Sequence, residues 1–151
     1  MEKILIGGYI LLLKVEKQCR VRVGSLGVLR FDKGYYAYVG SAVGGNITIE
    51  KRLNRYKKIA SNKNGNLRWH IDYLLASKNT SLLGFIPVKS KEKIECKISK
   101  VLGEIADNVV VGFGSSDCKN GCKGHLYRFK ANPKKLILKT LKRKGLVKNK
   151  G

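Results

Sequence analysis

A chain of 151 residues that is 43% hydrophobic has the length of one domain and enough apolar side chain for one core, which excludes a disordered tail protein. Its 32 Lys and Arg against 10 Asp and Glu give a net charge of +22, a balance that calls for a polyanionic partner. The longest apolar run, residues 4–13, is half the roughly 20 residues a membrane span needs, and Glu2 and Lys3 cancel ahead of it, so neither a transmembrane helix nor a secretory signal is expected.

In chain order, Ile4 to Val15 reads as an apolar strand, Arg20 to Val23 as an alternating one and Tyr36 to Val39 as an aromatic, β-branched one. Short glycine-marked links between them imply antiparallel pairing, most simply a meander. From Asn46, which can act as a cap, Ile49, Leu53 and Tyr56 fall at helical spacing, with Lys51, Arg52, Arg55, Lys57 and Lys58 on the other faces. A polar loop over Ser61 to Asn66 precedes a second amphipathic stretch, Leu67 to Ser77, and Leu82 to Val88 with its Pro87 fits an edge strand. Ser90 to Ala106 reads as a third helix capped by Ser90, Asn108 to Phe113 as a strand, Gly114 to Gly124 as a loop and Leu126 to Phe129 as a last strand. Pro133 then opens a basic helix to about Lys144. The pattern is an α+β single domain: a central antiparallel sheet flanked by helices over residues 1–130, with a basic C-terminal helix and tail over 131–151.

Charge is uneven. Residues 118–151 hold 12 basic residues and no acid, and the cations from Lys130 onward, including Lys134, Lys135, Lys139, Lys142 and Arg143, are spaced by Leu136, Ile137, Leu141 and Leu146. Such a run is either a solvated face or a phosphate-binding one, and release of condensed counterions favours the second. With 24 Lys and 8 Arg the expected contact is to the nucleic-acid backbone more than to base edges. A membrane surface is not expected as a partner, because the terminal helix has no Trp or Phe anchor.

Two tyrosine–glycine signatures, Gly7-Gly8-Tyr9 and Tyr38-Val39-Gly40, lie on strands that antiparallel pairing can bring together, with Arg52 and Arg55 on the helix that follows. Phosphodiester hydrolysis uses such groups: a base for water, a cation for the charge developing on phosphate, and a metal for the leaving oxygen. Read locally, the same tyrosines are ordinary half-buried sheet residues.

Together with Ser41-Ala42, Arg52-Leu53, Trp69-His70-Ile71-Asp72-Tyr73, Glu95-Cys96 and Gly112-Phe113-Gly114-Ser115-Ser116-Asp117-Cys118, these signatures resemble an archaeal and bacterial domain of unknown function in the GIY-YIG endonuclease superfamily, over roughly residues 5–130. The resemblance implies a small α/β nuclease that uses one divalent cation, Mg²⁺ or Mn²⁺. It makes Tyr9 the general base, Tyr38 its partner in placing water or phosphate, Arg52 the phosphate-stabilising cation and Glu95 the metal-binding carboxylate. Domains of this kind also occur fused to a base-excision glycosylase, which implies DNA repair. The chain departs from the superfamily pattern in three ways: 28 residues lie between the two tyrosines, as though a hairpin were inserted, Tyr56 stands where a histidine is common, and the late asparagine has no equivalent.

His70 and Asp72 are either structural or active-site support, as are Arg55, Ser116 and His125, while Arg68 adds to the basic surface with Lys51, Arg55, Lys57 and Lys58. The four cysteines are too few and too scattered for a disulfide scaffold, so free thiols or a metal are expected. Cys118, Cys122 and His125 offer three zinc ligands, with Cys96 or His70 as a fourth. The preferred reading of that loop is a backbone nest for phosphate, in which case chelation leaves the fold intact. The expected protein is thus a metal-dependent endonuclease acting on nucleic acid, DNA being the expected substrate, in the cytoplasm with the nucleoid. The alternative is a non-catalytic nucleic-acid-binding module on the same fold, and a zinc-stabilised basic protein is the third reading.

Overall fold

A computed structural model describes residues 6–43, 48–114 and 121–147. Five strands, β1 (Gly7–Val15), β4 (Gly34–Ala42), β5 (Thr80–Lys89), β6 (Asn108–Val109) and β7 (Leu126–Phe129), form an antiparallel sheet in the order β5-β1-β4-β7-β6. Four helices flank it: α1 (Ile49–Asn62), α2 (His70–Leu75), α3 (Glu95–Ile105) and α4 (Lys134–Arg143). Among the described residues, no helix is long and apolar enough to cross a membrane.

The central strand explains the apolar start of the sequence. Side chains alternate across a strand, so Tyr9, Leu11, Leu13 and Val15 of β1 bury against α1 and α2 on one face, while Ile10 and Leu12 bury with residues of α3 and α4 on the other. Covered on both sides, β1 has little need of polar residues. Each such aliphatic side chain contributes about 1.5–3 kcal/mol.

The expected meander does not form. β1 pairs directly with β4, and β2 (Cys19–Arg22) and β3 (Val28–Phe31) pair with each other as a separate ribbon around a 3₁₀ turn at Gly24–Leu26. Arg20, Arg22, Val28 and Arg30 are exposed while Cys19, Val21 and Leu29 pack on the core, so the ribbon has one dry face and cannot stand inside a sheet buried on both.

Several element boundaries also differ, among them the second helix, which spans His70–Leu75 and not Leu67 to Ser77. The strand expected over Asn108–Phe113 stops at Val109, because the chain turns to bury Phe113 against Phe31 and Tyr38. The third helix begins at Glu95 and not at Ser90: the Ser90 hydroxyl accepts from the Glu92 N–H, and the Ser90 N–H donates to Ile6 alongside the β1–β5 pairing. Helix α1 is capped by the Thr48 hydroxyl, which accepts from Lys51 N–H at 3.2 Å. Asn46, the expected cap, lies outside the described residues.

At the far end of α1, Lys63 takes a left-handed conformation (φ 57°) and its ammonium donates to the carbonyls of Leu75 and Thr80. The helix is thereby tied to α2 and to the start of β5. On α4, Ile137 and Leu141 are buried, while Lys134, Lys135, Lys139, Lys142 and Arg143 are exposed.

Candidate active site

Two glycines shape the site. Gly40 of β4 is the cross-strand partner of Tyr9, and a side chain there would overlap the Tyr9 phenol. Gly8 leaves room for α3: an added Cβ would meet the Ile98 side-chain tip at 2.6 Å and the Ile94 side chain at 3.3 Å, so a larger residue would make those side chains shift. The tyrosine–glycine signatures thus seat one phenol and bring Glu95 within reach of it.

Tyr9, Tyr38, Arg52 and Glu95 line one open cleft of about 190 Å³, together with Tyr56 and His125. The volume equals the share of about six waters, room for a hydrated cation and a phosphoryl oxygen. Tyr9 and Tyr38 are diagonal neighbours across the β1–β4 pair, since Tyr9 stands opposite Gly40 and Tyr38 opposite Leu11. The Tyr9 hydroxyl shares a hydrogen bond of 2.6 Å with that of Tyr56. Tyr56 is four residues after Arg52 on α1, the spacing that puts two side chains on one helix face.

Arg52 lies over the Trp69 ring at 4.2 Å, and its Nε is buried without a hydrogen-bond partner. Arg55 lies over the same ring at 4.4 Å but is engaged elsewhere: both of its terminal nitrogens donate to the Asp72 carboxylate at 2.6 Å. Asp72 is fully buried and also accepts from the N–H groups of Arg68 and Trp69 at 2.8 Å. It faces those donors and not the cleft, and its effect on the site is to hold Trp69, on which Arg52 rests. His70 is likewise outside the cleft, its Nδ1 accepting from Gly114 N–H at 2.8 Å. That bond needs a neutral imidazole, and burial pushes the His70 pKa down.

Glu95 is the first residue of α3, part exposed, where the helix dipole favours a negative charge. Among the residues lining the cleft it is the carboxylate, the donor type that suits a hard divalent cation. Oε2 lies 4.0 Å from Nδ1 of His125, a buried residue whose Nε2 has no hydrogen-bond partner. Ser116 and Cys118 fall outside the described residues. Lys51, Arg55 and Lys58 line a second groove of about 470 Å³ along α1, and Lys57 and Arg68 are exposed.

The tyrosines are strongly biased towards the neutral form. Burial, then the neighbouring Tyr38, raises the Tyr9 pKa, while the hydrogen bond with Tyr56 and the charge of Arg52 pull it down. Burial likewise lifts Tyr38 and Tyr56 well above the usual phenol, and pushes Tyr36 up to about 12 against the pull of Arg128. Because the folded chain keeps protons that the unfolded chain loses near pH 10, this stability is intact below pH 10 and lost as pH rises through the folded values. The loss amounts to at most about 1.4 kcal/mol per pH unit for each such tyrosine. Between pH 10 and 12 the phenolate absorbance is therefore expected to rise together with loss of the helical circular dichroism. Tyrosines that all ionise near pH 10 with the helices intact would contradict their burial.

The four principal cleft residues are legible in the sequence, whereas the parts played by two supports, Tyr56 and Trp69, are not. For the first, its spacing from Arg52 is the available signal. The cation–π partner of the second comes from another element and leaves no local trace. The family model described as "Domain of unknown function DUF123" matches residues 8–146, and the chain belongs to that family. No curated protein and no solved structure matches it.

Proposed function

We propose that this member of the DUF123 family is a metal-dependent endonuclease of the GIY-YIG type, hydrolysing phosphodiester bonds in nucleic acid, with DNA as the substrate. The observation that carries the reading is the convergence of Tyr9, Tyr38, Arg52 and Glu95 on one cleft, from two strands and from helices on opposite faces of the sheet. A binding module needs no such meeting of a phenol pair, a guanidinium and a carboxylate.

In this reading Glu95 holds Mg²⁺ or Mn²⁺, which supplies charge for the leaving oxygen. Arg52, braced by Trp69, faces the phosphate where negative charge builds in the transition state. Tyr9 takes the proton of the attacking water, and Tyr38 places that water or the phosphate. A buried phenol with a raised pKa is a weak base. Arg52 and a cation at Glu95 both act to lower that pKa, the second by cancelling the carboxylate that now raises it. The raised pKa is also the observation that favours the second reading, a nucleic-acid-binding module that has kept the fold.

Labelled duplex, flap and branched DNA, with RNA counterparts, incubated with Mg²⁺ or Mn²⁺ and against a chelated control, decide between them. Metal-dependent cleavage supports the nuclease. Binding without cleavage on every substrate and cation leaves the binding module.

The exposed cations of α4 extend the reach to the phosphate backbone. Deleting the helix would strip Ile137 and Leu141 from the core, so charge is better removed by substitution. Changing Lys134, Lys135, Lys139, Lys142 and Arg143 to Gln is expected to weaken DNA binding and to flatten the dependence of log affinity on log salt by about 0.9 for each phosphate that is no longer neutralised. An unchanged slope with unchanged affinity would show that α4 is a solvated face.

A further inference from the structure

Beside the cleft lies a second cluster. Cys96 is the second residue of α3, and Cys122 and His125 lie on the segment that enters β7; the potential ligand atoms of the three are all within 4.8 Å of one another. We propose that Cys96, Cys122 and His125 bind a thiophilic divalent cation, zinc before others, which fastens the segment entering β7 to the first turn of α3.

The donor set selects the metal. Two thiolates and an imidazole suit zinc and disfavour Mg²⁺, which takes oxygen ligands. Tetrahedral zinc with Zn–S near 2.3 Å and Zn–N near 2.0 Å needs its ligand atoms about 3.5–3.8 Å apart, so from separations of at most 4.8 Å the three have to close by no more than about 1.3 Å. His125 is fixed by the fold: its N–H donates to Phe113 at 2.7 Å and its carbonyl accepts from Val39 at 2.9 Å. Cys96 is carried by a helix that Ile98 and Leu102 anchor in the core. The closing movement therefore falls mainly to Cys122, on the segment ahead of β7.

His125 supplies the independent observation. With Nδ1 facing Glu95 at 4.0 Å, its Nε2 remains buried and unpartnered, a nitrogen that loses its solvation for nothing unless a ligand meets it. Nε2 on the metal and Nδ1–H towards a carboxylate is the arrangement by which metal-bound histidines are oriented. The cation then fixes, through His125, the side of the cleft on which Glu95 stands. Cys96 comes from a different element than the loop that carries Cys122 and His125, which is why spacing along the loop alone suggests a phosphate nest.

The site does not depend on nuclease activity, and its test reads metal directly. Full-length reduced protein titrated with Co²⁺ is expected to bind one equivalent with a thiolate-to-cobalt charge-transfer band and the visible bands of a tetrahedral site, and Zn²⁺ is expected to displace it. Cys96→Ser, Cys122→Ser and His125→Asn should each weaken zinc binding by about 100-fold or more, while Cys19→Ser leaves it unchanged. Zinc should raise the melting temperature of the wild-type chain and not that of Cys96→Ser. Absence of the charge-transfer band overturns the proposal. So does a band that survives Cys96→Ser but is lost in Cys118→Ser, since the ligands would then belong to the loop alone.

Discussion

Under the proposed mechanism Glu95→Gln is expected to lower DNA cleavage by about 100-fold or more while binding stays within a few-fold of wild type, because the change removes the charge proposed to hold the metal and keeps the shape of the side chain. Tyr9→Phe deletes one oxygen and should cost about 100- to 10,000-fold in turnover, again with little change in affinity. Arg52→Ala should damage turnover by about 100- to 1,000-fold, more than it weakens binding, if its charge meets the transition state as proposed. Raised Mg²⁺ should restore part of the activity of Glu95→Gln and none of that of Tyr9→Phe. With a base whose pKa is raised, the wild-type rate should climb about tenfold per pH unit on the alkaline side until the fold itself is lost, and Tyr9→Phe should flatten that climb. Equal cleavage by wild type, Glu95→Gln and Tyr9→Phe would remove the nuclease reading.

The largest effect on stability is expected at Asp72. It is fully buried, pairs with both terminal nitrogens of Arg55 and accepts two backbone N–H groups at the start of α2. Asp72→Ala leaves Arg55 Nη1 and the two backbone N–H groups without that acceptor, Arg55 Nη2 keeping only the Asn66 carbonyl, and should cost about 3 kcal/mol, as breaking a buried pair from one side does. For a domain of this size that corresponds to a melting temperature lower by about 10 °C. Pairing the change with Arg55→Met should recover part of the loss, because the stranded charge goes too. The consequence reaches the cleft as well. Trp69, freed from the Asp72 carboxylate, no longer braces Arg52, so the surviving folded protein should show a lower kcat at nearly constant KM. A cost below about 1 kcal/mol would show that the pair is incidental.

The elements that the sequence discloses are those whose pattern is set by one dominant contact. The β1 strand is a continuous apolar run because both its faces are covered, and the α1 and α3 helices have apolar periodicities because each presents a fixed face to the sheet; these patterns survive any rearrangement of neighbours. Of the β2–β3 ribbon only the first strand is legible, with the inserted hairpin, and neither the second strand nor the separate sheet, since alternation specifies that one face is dry and not which element dries it. Phe113 defeats the strand expected around it because its partners, Phe31 and Tyr38, lie more than 70 residues away in the chain. In the site, Tyr9, Tyr38, Arg52 and Glu95 stand in short motifs, whereas the support that Trp69 gives Arg52 and the meeting of Cys96 with Cys122 and His125 depend on which helices pack where. For Asp72 the sequence leaves a phosphate-facing role and a structural one level; its burial on Arg55 and two backbone donors decides for the second.

Sheet order also has a consequence in time. β1 is complete at Val15, but its neighbour on one side, β5, does not begin until Thr80, and α4, which covers its Ile10 and Leu12 face together with α3, ends at Arg143. At 5–20 residues per second the 65 residues from 16 to 80 take the ribosome roughly 3–13 s. For that interval the nascent chain displays one edge of a nine-residue strand almost devoid of charge. Pulse-labelled nascent chains arrested after β4 should therefore associate with a holdase chaperone or aggregate, and chains arrested beyond the last residue of α4 should not.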